Sequence, residues 1–558
     1  MKWIGRIGMG QQLREAALYP LAVAMCVGIL FAALKLTRAD LRTPLAYSGE
    51  ALFSGAVVKS VVTGGAGLRE FFAGDNFNFL LVKILGLFTD HFAVALNLFY
   101  LLTFPLTTLA ALYAFRQFRV SPFPALCGSL LYTFTFYHFS RGERQFLAAA
   151  YYPVPLMVMV ILWVCAGRLV GRRRVILSLL VCLLVAATGG VYFSFFAGFL
   201  LLVGGSLTAL RRRQSRALLA PALLILTLWV GHLANMSSAA KYSPADAESY
   251  GLKITQLLLP VDRHRVKQLA LVKDEYRWNP LINENRDATL GLVGGAGFLT
   301  LVGWLLYHNL AASLGRPNRE PGPLDHLSVL NLAALLLATI GGFGALFNLL
   351  VSPQIRAYNR VSVYVAFFSL FAVVYLLDRG TRARLTSRRR RVACGLGFAL
   401  VLTVGLLDQI PRHLPPDYAA VRAEYRSDAE FVSQVEAAVP PGAKIFQLPA
   451  ATFPEGGTVN VMGDYDHFRG FLHSKNLRWS YGAAKGRWEA EWQRQVAALP
   501  AAEMARALAG AGFAGIYLNR WGYDSELAKL EADLTAATGA APIISRNGRL
   551  LFFKLRPA

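Results

Sequence analysis

Two carboxylates, Glu50 and Asp75, sit where acids are scarce. They belong to a mostly uncharged stretch from about Thr37 to His91 whose acids are Asp40, Glu50, Glu70, Asp75 and Asp90. The run Ala46-Tyr47-Ser48-Gly49-Glu50-Ala51-Leu52-Phe53 leads into apolar residues at helical spacing from Leu52 to Val62, with Lys59 among them. Gly74-Asp75-Asn76-Phe77-Asn78 leads into a second such run containing Lys83. An acid at either place can cap a helix N-terminus. Beside a membrane it is also partly desolvated, which suits general-base work on a hydroxyl. Glu50 ranks ahead of Asp75 for that role.

Cations that could hold a phosphate lie far away in the chain. A long segment, 237–288, carries Lys241, Tyr242, Glu248 and Tyr250, then Arg263-His264-Arg265 and Lys267. Arginine offers a bidentate fork to a phosphate and lysine a point charge. The same cluster also reads as a solvated face touching lipid headgroups, and His264 alone is no metal signal. Shorter turns pair cations with aromatics: Tyr137-His138-Phe139-Ser140-Arg141-Gly142-Glu143-Arg144, and Gln354-Ile355-Arg356-Ala357-Tyr358-Asn359-Arg360. The candidate phosphate ligands are therefore Lys59, Arg263, His264, Arg265, Arg356 and Arg360. Gly189-Gly190-Val191-Tyr192 reads as a tight turn.

The elements that position these residues are membrane helices. The chain has 558 residues, 55% of them hydrophobic, with a mean hydropathy of +0.43. Its apolar runs repeatedly reach the about 20 residues that cross a hydrocarbon core about 30 Å thick. Spans are expected near 17–36, 92–115, 122–138, 148–166, 175–189, 192–210, 217–236, 289–308, 327–350, 361–377 and 392–408, eleven in all. The first run is too long for a signal-peptide core and lacks a small-residue cleavage site, so it is expected to remain as a span. All five cysteines, Cys26, Cys127, Cys165, Cys182 and Cys394, fall inside these spans. They read as small packing residues, and disulfides are not expected.

Basic residues set the orientation, since short cytoplasmic loops hold an excess of Lys and Arg. Lys2, Arg6 and Arg14; Arg116 and Arg119; Arg168 and Arg172 to Arg174; Arg211 to Arg213 and Arg216; Arg316 and Arg319; and Arg379, Arg382, Arg384 and Arg388 to Arg391 occupy six successive inside segments. The N-terminus is then cytoplasmic, and both long loops and everything after the last span lie outside. On that face Arg141, Arg144, Arg356 and Arg360 run against the bias. The net charge of +24 is explained by topology, and no nucleic-acid partner is expected.

After residue 408 the character changes. Pro411, Pro415 and Pro416 mark a linker, and strand-like runs at Lys444–Leu448 and Gly515–Asn519 alternate with charged helical stretches. Ile543–Ser545 and Leu550–Leu555 flank Asn547-Gly548, a hairpin signal. Residues 1–408 are expected to form the transmembrane domain and 409–558 a small α/β domain, with no phosphate loop, His-x-x-x-His pair or nucleophile elbow in it.

A cytoplasmic N-terminus, a long first outward loop with an acid soon after span one, and an outward C-terminal domain resemble the GT-C superfamily of membrane glycosyltransferases. That likeness implies transfer of a sugar from a polyprenyl-phosphate-linked donor to an envelope glycan or lipid acceptor, on the outer face of a bacterial cytoplasmic membrane. In the protein O-mannosyltransferase and aminoarabinose transferase branches an Asp-Glu pair begins the first loop helix; here Gly49-Glu50 stands there, with one acid. Lys59 would match a donor-phosphate lysine. The Trp-Trp-Asp sequence of oligosaccharyltransferases is missing, which disfavours that branch. Gln447-Leu448-Pro449, Phe453-Pro454-Glu455 and Arg478-Trp479-Ser480-Tyr481-Gly482 are similar to segments of bacterial membrane proteins grouped near the superfamily. A divalent cation is compatible with the chemistry, though no ligand cluster calls for one. The alternatives are an envelope-lipid transporter or flippase, which would place ionisable groups mid-membrane and show inverted repeats, and a non-catalytic scaffold.

Overall fold

The computed structural model describes residues 9–64, 68, 75–233, 243–313, 320–382 and 387–556. Lys2, Arg6, Glu70, Gly74, Lys241, Tyr242, Arg316, Arg319 and Arg384 lie outside the described residues. The chain begins with α1 (Met9–Leu34), then the loop helices α2 (Glu50–Val62) and α3 (Asn76–Gly86). The bundle continues with α4 (Phe92–Gln117), α5 (Pro122–Thr133), short α6 (Phe136–Arg141) and α7 (Phe146–Ala149), and then α8 (Pro153–Cys165). Next come α9 (Arg172–Thr188), α10 (Gly190–Arg212) and α11 (Leu219–Leu233). The second long loop holds α12 (Asp246–Ser249), α13 (Ile254–Leu258) and α14 (Lys267–Tyr276). The bundle closes with α15 (Gly291–Ser313), α16 (Pro323–Ala338), α17 (Phe343–Leu350), α18 (Ser362–Arg382) and α19 (Arg388–Gln409).

Local sequence explains where these helices start. Pro122, Pro153 and Pro323 open α5, α8 and α16, where a missing N–H costs nothing. The Asp325 side chain accepts from Gly322 N at 2.6 Å, and Ser387 caps α19 by accepting from Arg390 N at 3.3 Å. Among the described residues seven helical segments are long and apolar enough to cross a membrane by themselves. The chain is a polytopic helical membrane protein with a C-terminal α/β domain.

Four of the expected spans, 122–138, 148–166, 175–189 and 327–350, fall short of that crossing length among the described residues. The run 122–138 stops at Thr133; Thr135 is extended, and the chain re-enters a helix at Phe136. His138 is thus no surface turn residue. It is fully buried, stacks on Phe104 with centroids 3.8 Å apart and bonds Thr103 Oγ1 at 2.8 Å and Thr133 O at 2.9 Å. The run 327–350 divides into α16 and α17 at Gly341-Gly342, where Gly341 has φ 74° and Thr339 bridges to Leu252 in the second loop. Periodicity alone does not show such breaks, because both halves are apolar.

The helix expected from Leu52 to Val62 is covered on more than one side. In α2 nine residues are buried, including Ala51, Leu52, Val57, Val58 and Val61. One side packs on α4 and the other meets the helix Phe468–His473 of the C-terminal domain. Phe53 stacks on Tyr465 and Phe468, with centroids 5.0 and 5.7 Å away.

The C-terminal domain starts with α20 (Tyr418–Ala438), capped by Asp417, which accepts from Ala420 N at 3.1 Å. It continues with β1 (Lys444–Leu448), α21 (Phe468–His473), β2 (Arg478–Trp479), α22 (Trp488–Ala497), α23 (Ala501–Gly510), β3 (Phe513–Asn519), α24 (Leu527–Thr538), β4 (Ile543–Ile544) and β5 (Leu550–Lys554). The sheet order is β2-β1-β3-β5-β4; β1 runs parallel to β2 and β3, while β5 is antiparallel to β3 and β4. Alternation sends Phe446, Leu448, Ile516, Leu518, Leu551 and Phe553 toward α23 and α24. Ile445, Tyr517, Leu550 and Phe552 face Phe431, Val432 and Val435 of α20. Each such buried side chain contributes about 1.5–3 kcal/mol.

Candidate functional site

The approach to Glu50 is held residue by residue. Leu45 N donates to Asn97 Oδ1 at 3.3 Å, Ala46 N to Glu143 Oε2 at 2.9 Å, and Arg469 Nη2 to Tyr47 O at 3.1 Å. Gly49 then turns the chain at φ 56°, ψ −134° into α2. A side chain there would be strained, since only glycine adopts that region freely. Glu50 follows as the first helical residue, exposed, and its carboxylate is not used as a cap.

Glu50 instead starts a chain of polar contacts across four segments. Its Oε2 accepts from Gln145 Nε2 at 2.7 Å, and Gln145 Oε1 accepts from Arg141 Nη1 at 2.7 Å. The same Arg141 nitrogen is ion-paired with Glu284 Oε2, and Arg360 Nη2 reaches that oxygen at 3.5 Å. Asn359 Nδ2 donates to Glu284 Oε1 at 3.1 Å. The Arg360 guanidinium lies over the Tyr192 ring at 4.5 Å. Burial alone would raise Glu284, but Arg141 and Arg360 outweigh it and hold the carboxyl well below its ordinary value. Thus the first loop, the α6–α7 corner, the second long loop and the segment before α18 all meet here.

Asp75 approaches from the far side. It is 6% exposed, precedes α3 at the cap position, and accepts from Asn78 Nδ2 at 3.2 Å. Asn78 also donates to Thr188 O at 2.9 Å, at the end of α9. Burial pushes the Asp75 carboxyl up to about 8, with Asn78 and the Arg360 charge pulling the other way.

The C-terminal domain supplies the opposite rim. Arg356 makes a two-pronged ion pair with Glu455 and lies over Tyr250 at 5.1 Å. Asp464 is pushed up to about 6 by burial, and the negative charges of Glu455 and Glu50 add to the shift. Several polar atoms at this centre have no partner among the described residues: Arg141 Nε, Arg360 Nε, Glu143 Oε1 and Tyr137 Oη. A buried polar atom left without a partner is costly unless a water, an ion or a ligand supplies one.

The expected cations separate into two groups. Arg360 belongs to the network around Glu50, and Arg356 borders it through its pair with Glu455, whose charge acts with that of Glu50 on Asp464. Lys59 does not: its ammonium donates to Phe471 O at 2.6 Å, Leu472 O at 3.2 Å and Ser474 O at 2.5 Å, pinning α2 to the end of α21. His264 is buried against Asp408 at 3.2 Å and Arg265 Nε donates to Ile410 O at 2.6 Å, so both hold the second loop to the end of α19. Arg263 is exposed, with φ 53°. Among the described residues no hydrogen bond or ion pair joins Lys59, Arg263, His264 or Arg265 to the Glu50 network.

Sequence reasoning missed Glu284, Gln145 and Asp464, and it took Tyr192 for part of a turn. The turn is real, since α9 ends at Thr188 and α10 begins at Gly190, yet its tyrosine is the ring beneath Arg360. An outward arginine in want of an acid was the available signal for Glu284. Among the described residues no group of three or more His, Cys, Asp or Glu side chains is arranged to hold a metal.

No protein-family model matches the chain, and no curated protein does. Solved structures do. ArnT from Cupriavidus metallidurans in the apo state aligns over 98% of this chain and 100% of its own, at 13% identity and a TM-score of 0.50. The archaeal oligosaccharyltransferase AglB from Archaeoglobus fulgidus, in complex with an inhibitory peptide and a dolichol-phosphate, is a looser likeness. It covers 98% of this chain and 74% of its own at 11% identity and a TM-score of 0.42. The alignment with ArnT runs through the bundle, both long loops and the C-terminal domain, and the chain therefore shares the fold of that structure.

Proposed function

We propose that this protein is a GT-C glycosyltransferase that moves a sugar from a polyprenyl-phosphate-linked donor to a cell-envelope glycan or lipid acceptor. The carrying observation is the continuous path Glu50–Gln145–Arg141–Glu284–Arg360, which brings an exposed carboxylate and guanidinium groups from distant segments to one place. Glu50 takes or orients the proton of the acceptor hydroxyl. The acceptor oxygen forms a bond to the anomeric carbon as the carbon–oxygen bond to the lipid phosphate breaks, in line and with inversion. The polyprenyl phosphate leaves with the bonding electrons, and Arg356 and Arg360 offset the charge that develops on it. Asp75, largely protonated at neutral pH, acts as a neutral neighbour of Arg360 rather than as the base.

Basic loops gathered at the other end of the bundle support an extracytoplasmic site. There Arg116 pairs with Glu15, Arg212 Nη2 donates to Gly167 O at 3.2 Å, and Arg382 Nε donates to Ser121 Oγ at 3.1 Å. Under the positive-inside bias that end is cytoplasmic, and residues 409–558 form an extracytoplasmic domain that completes the site made by residues 1–408. The test is sugar transfer by purified protein in proteoliposomes with radiolabelled polyprenyl-phosphate sugars, comparing wild type with Glu50→Gln. Retained transfer by the variant removes Glu50 from the role of base; no transfer by wild type with any donor defeats the assignment.

A further inference from the structure

A second concentration of charge lies where two membrane helices leave the bundle. Lys35 and Arg38 follow the end of α1 at Leu34, and Arg412 and His413 follow the end of α19 at Gln409. With Arg422 of α20 they line a pocket of about 460 Å³. Its walls are tied together: Tyr418 Oη donates to Leu34 O at 2.6 Å, and Arg422 Nη2 to Arg38 O at 3.5 Å. Two acids are near, and both are engaged. Asp40 lies 3.8 Å from Arg422, and Asp417 caps α20. Lys35, Arg38 and Arg412 have no carboxylate partner among the described residues. Like charges confined to one pocket repel each other, and the N-terminus of α20 adds positive potential to the same place. An anion relieves both.

We propose that this pocket binds the phosphate-bearing headgroup of an anionic membrane lipid. A phosphate matches the forked arginines and the lysine. A lipid, rather than a free anion, matches the position, because the helix surfaces leading to the pocket are apolar and outward-facing: Phe31 is 49% exposed and Leu407 50%. A headgroup seated among Lys35, Arg38 and Arg412 leaves its acyl chains against those side chains. The inference does not depend on the transferase reading, since none of these residues belongs to the Glu50 network.

Native mass spectrometry of the full-length protein in detergent, titrated with phosphatidylglycerol, tests it. Wild type should retain at least one phosphatidylglycerol that Arg38→Gln/Arg412→Gln releases about tenfold more readily, the scale of losing charge-assisted contacts. Arg38→Lys/Arg412→Lys should restore most of the retention, Glu50→Gln should not change it, and phosphatidylcholine should bind all variants alike. Equal phosphatidylglycerol retention by a double variant with wild-type thermal unfolding overturns the proposal. If the double variant does not fold, Lys35→Gln, at an exposed position, reads the same loss in smaller measure, and its full retention is equally decisive. Inorganic phosphate displacing phosphatidylglycerol at equal concentration would overturn the lipid assignment in favour of a free anion.

Discussion

Two clusters of charge in this molecule are built to opposite rules. At the junction between the first loop and the C-terminal domain, Arg469 is 1% exposed and contacts Asp428 at 2.8 Å, Asp466 at 3.2 Å and Glu424 at 2.9 Å. Arg549 adds bonds to Glu424 at 2.9 Å and Asp466 at 2.5 Å. The Tyr47 hydroxyl donates to Asp428 at 2.9 Å, and His473 Nε2 meets it at 2.8 Å. The cluster around Glu50 uses the same residue types, yet its carboxylate is exposed and its arginines keep unpartnered nitrogens. Charges that are buried and mutually engaged hold parts together; charges that are engaged on one side only face something else.

The sharpest way to break this contrast is to neutralise one member of each cluster. Glu50→Gln should lower kcat by about 10²–10⁴, the usual share of a general base, with the thermal unfolding midpoint unmoved. Arg469→Met should do the reverse, removing about 3–5 kcal/mol of stability because it leaves buried carboxylates uncompensated, as read by denaturant unfolding. If Arg469→Met unfolds like wild type, the junction is not the clamp described here. Next in size, Arg360→Gln should raise the KM for the lipid-linked donor by about tenfold or more, as expected for a charge-assisted contact. Lys59→Met should leave that KM unchanged, since its ammonium is committed to three carbonyls. A pH-dependent effect is expected at Asp75. Its folded-state value, raised from 3.8 to about 8, means that the folded protein holds this proton more tightly than the unfolded chain. The stability so gained is complete below about pH 4 and is lost as pH rises toward 8. The unfolding midpoint of Asp75→Asn should therefore gain on wild type between those limits and run parallel to it above them. A pH-independent difference would show that Asp75 is not buried as described.

The membrane architecture was legible because it rests on local properties. Apolar length located the bundle helices, though not the break at Gly341-Gly342, and the strand at Lys444–Leu448 appears with the bounds expected of it. The site was legible in part. Glu50 could be singled out because acids are scarce around it, and Arg356 and Arg360 because the expected topology puts them on the face that disfavours arginine. Lys59 misled for a physical reason: spacing shows that α2 has an apolar side, not that a second domain covers the other. Glu284 stayed hidden because its partners are 143 and 76 residues away, and pairing over that range leaves no mark in a single sequence.

The grip of Arg469 on the Tyr47 carbonyl also imposes an order in time. Residue 47 emerges early in synthesis and residue 469 more than four hundred residues later, so the turn that presents Glu50 waits for a domain made well after it. During insertion the chain already carries its carboxylate and its bundle arginines, but the loop lacks its clasp. The loop gains that clasp only when the later domain folds onto it.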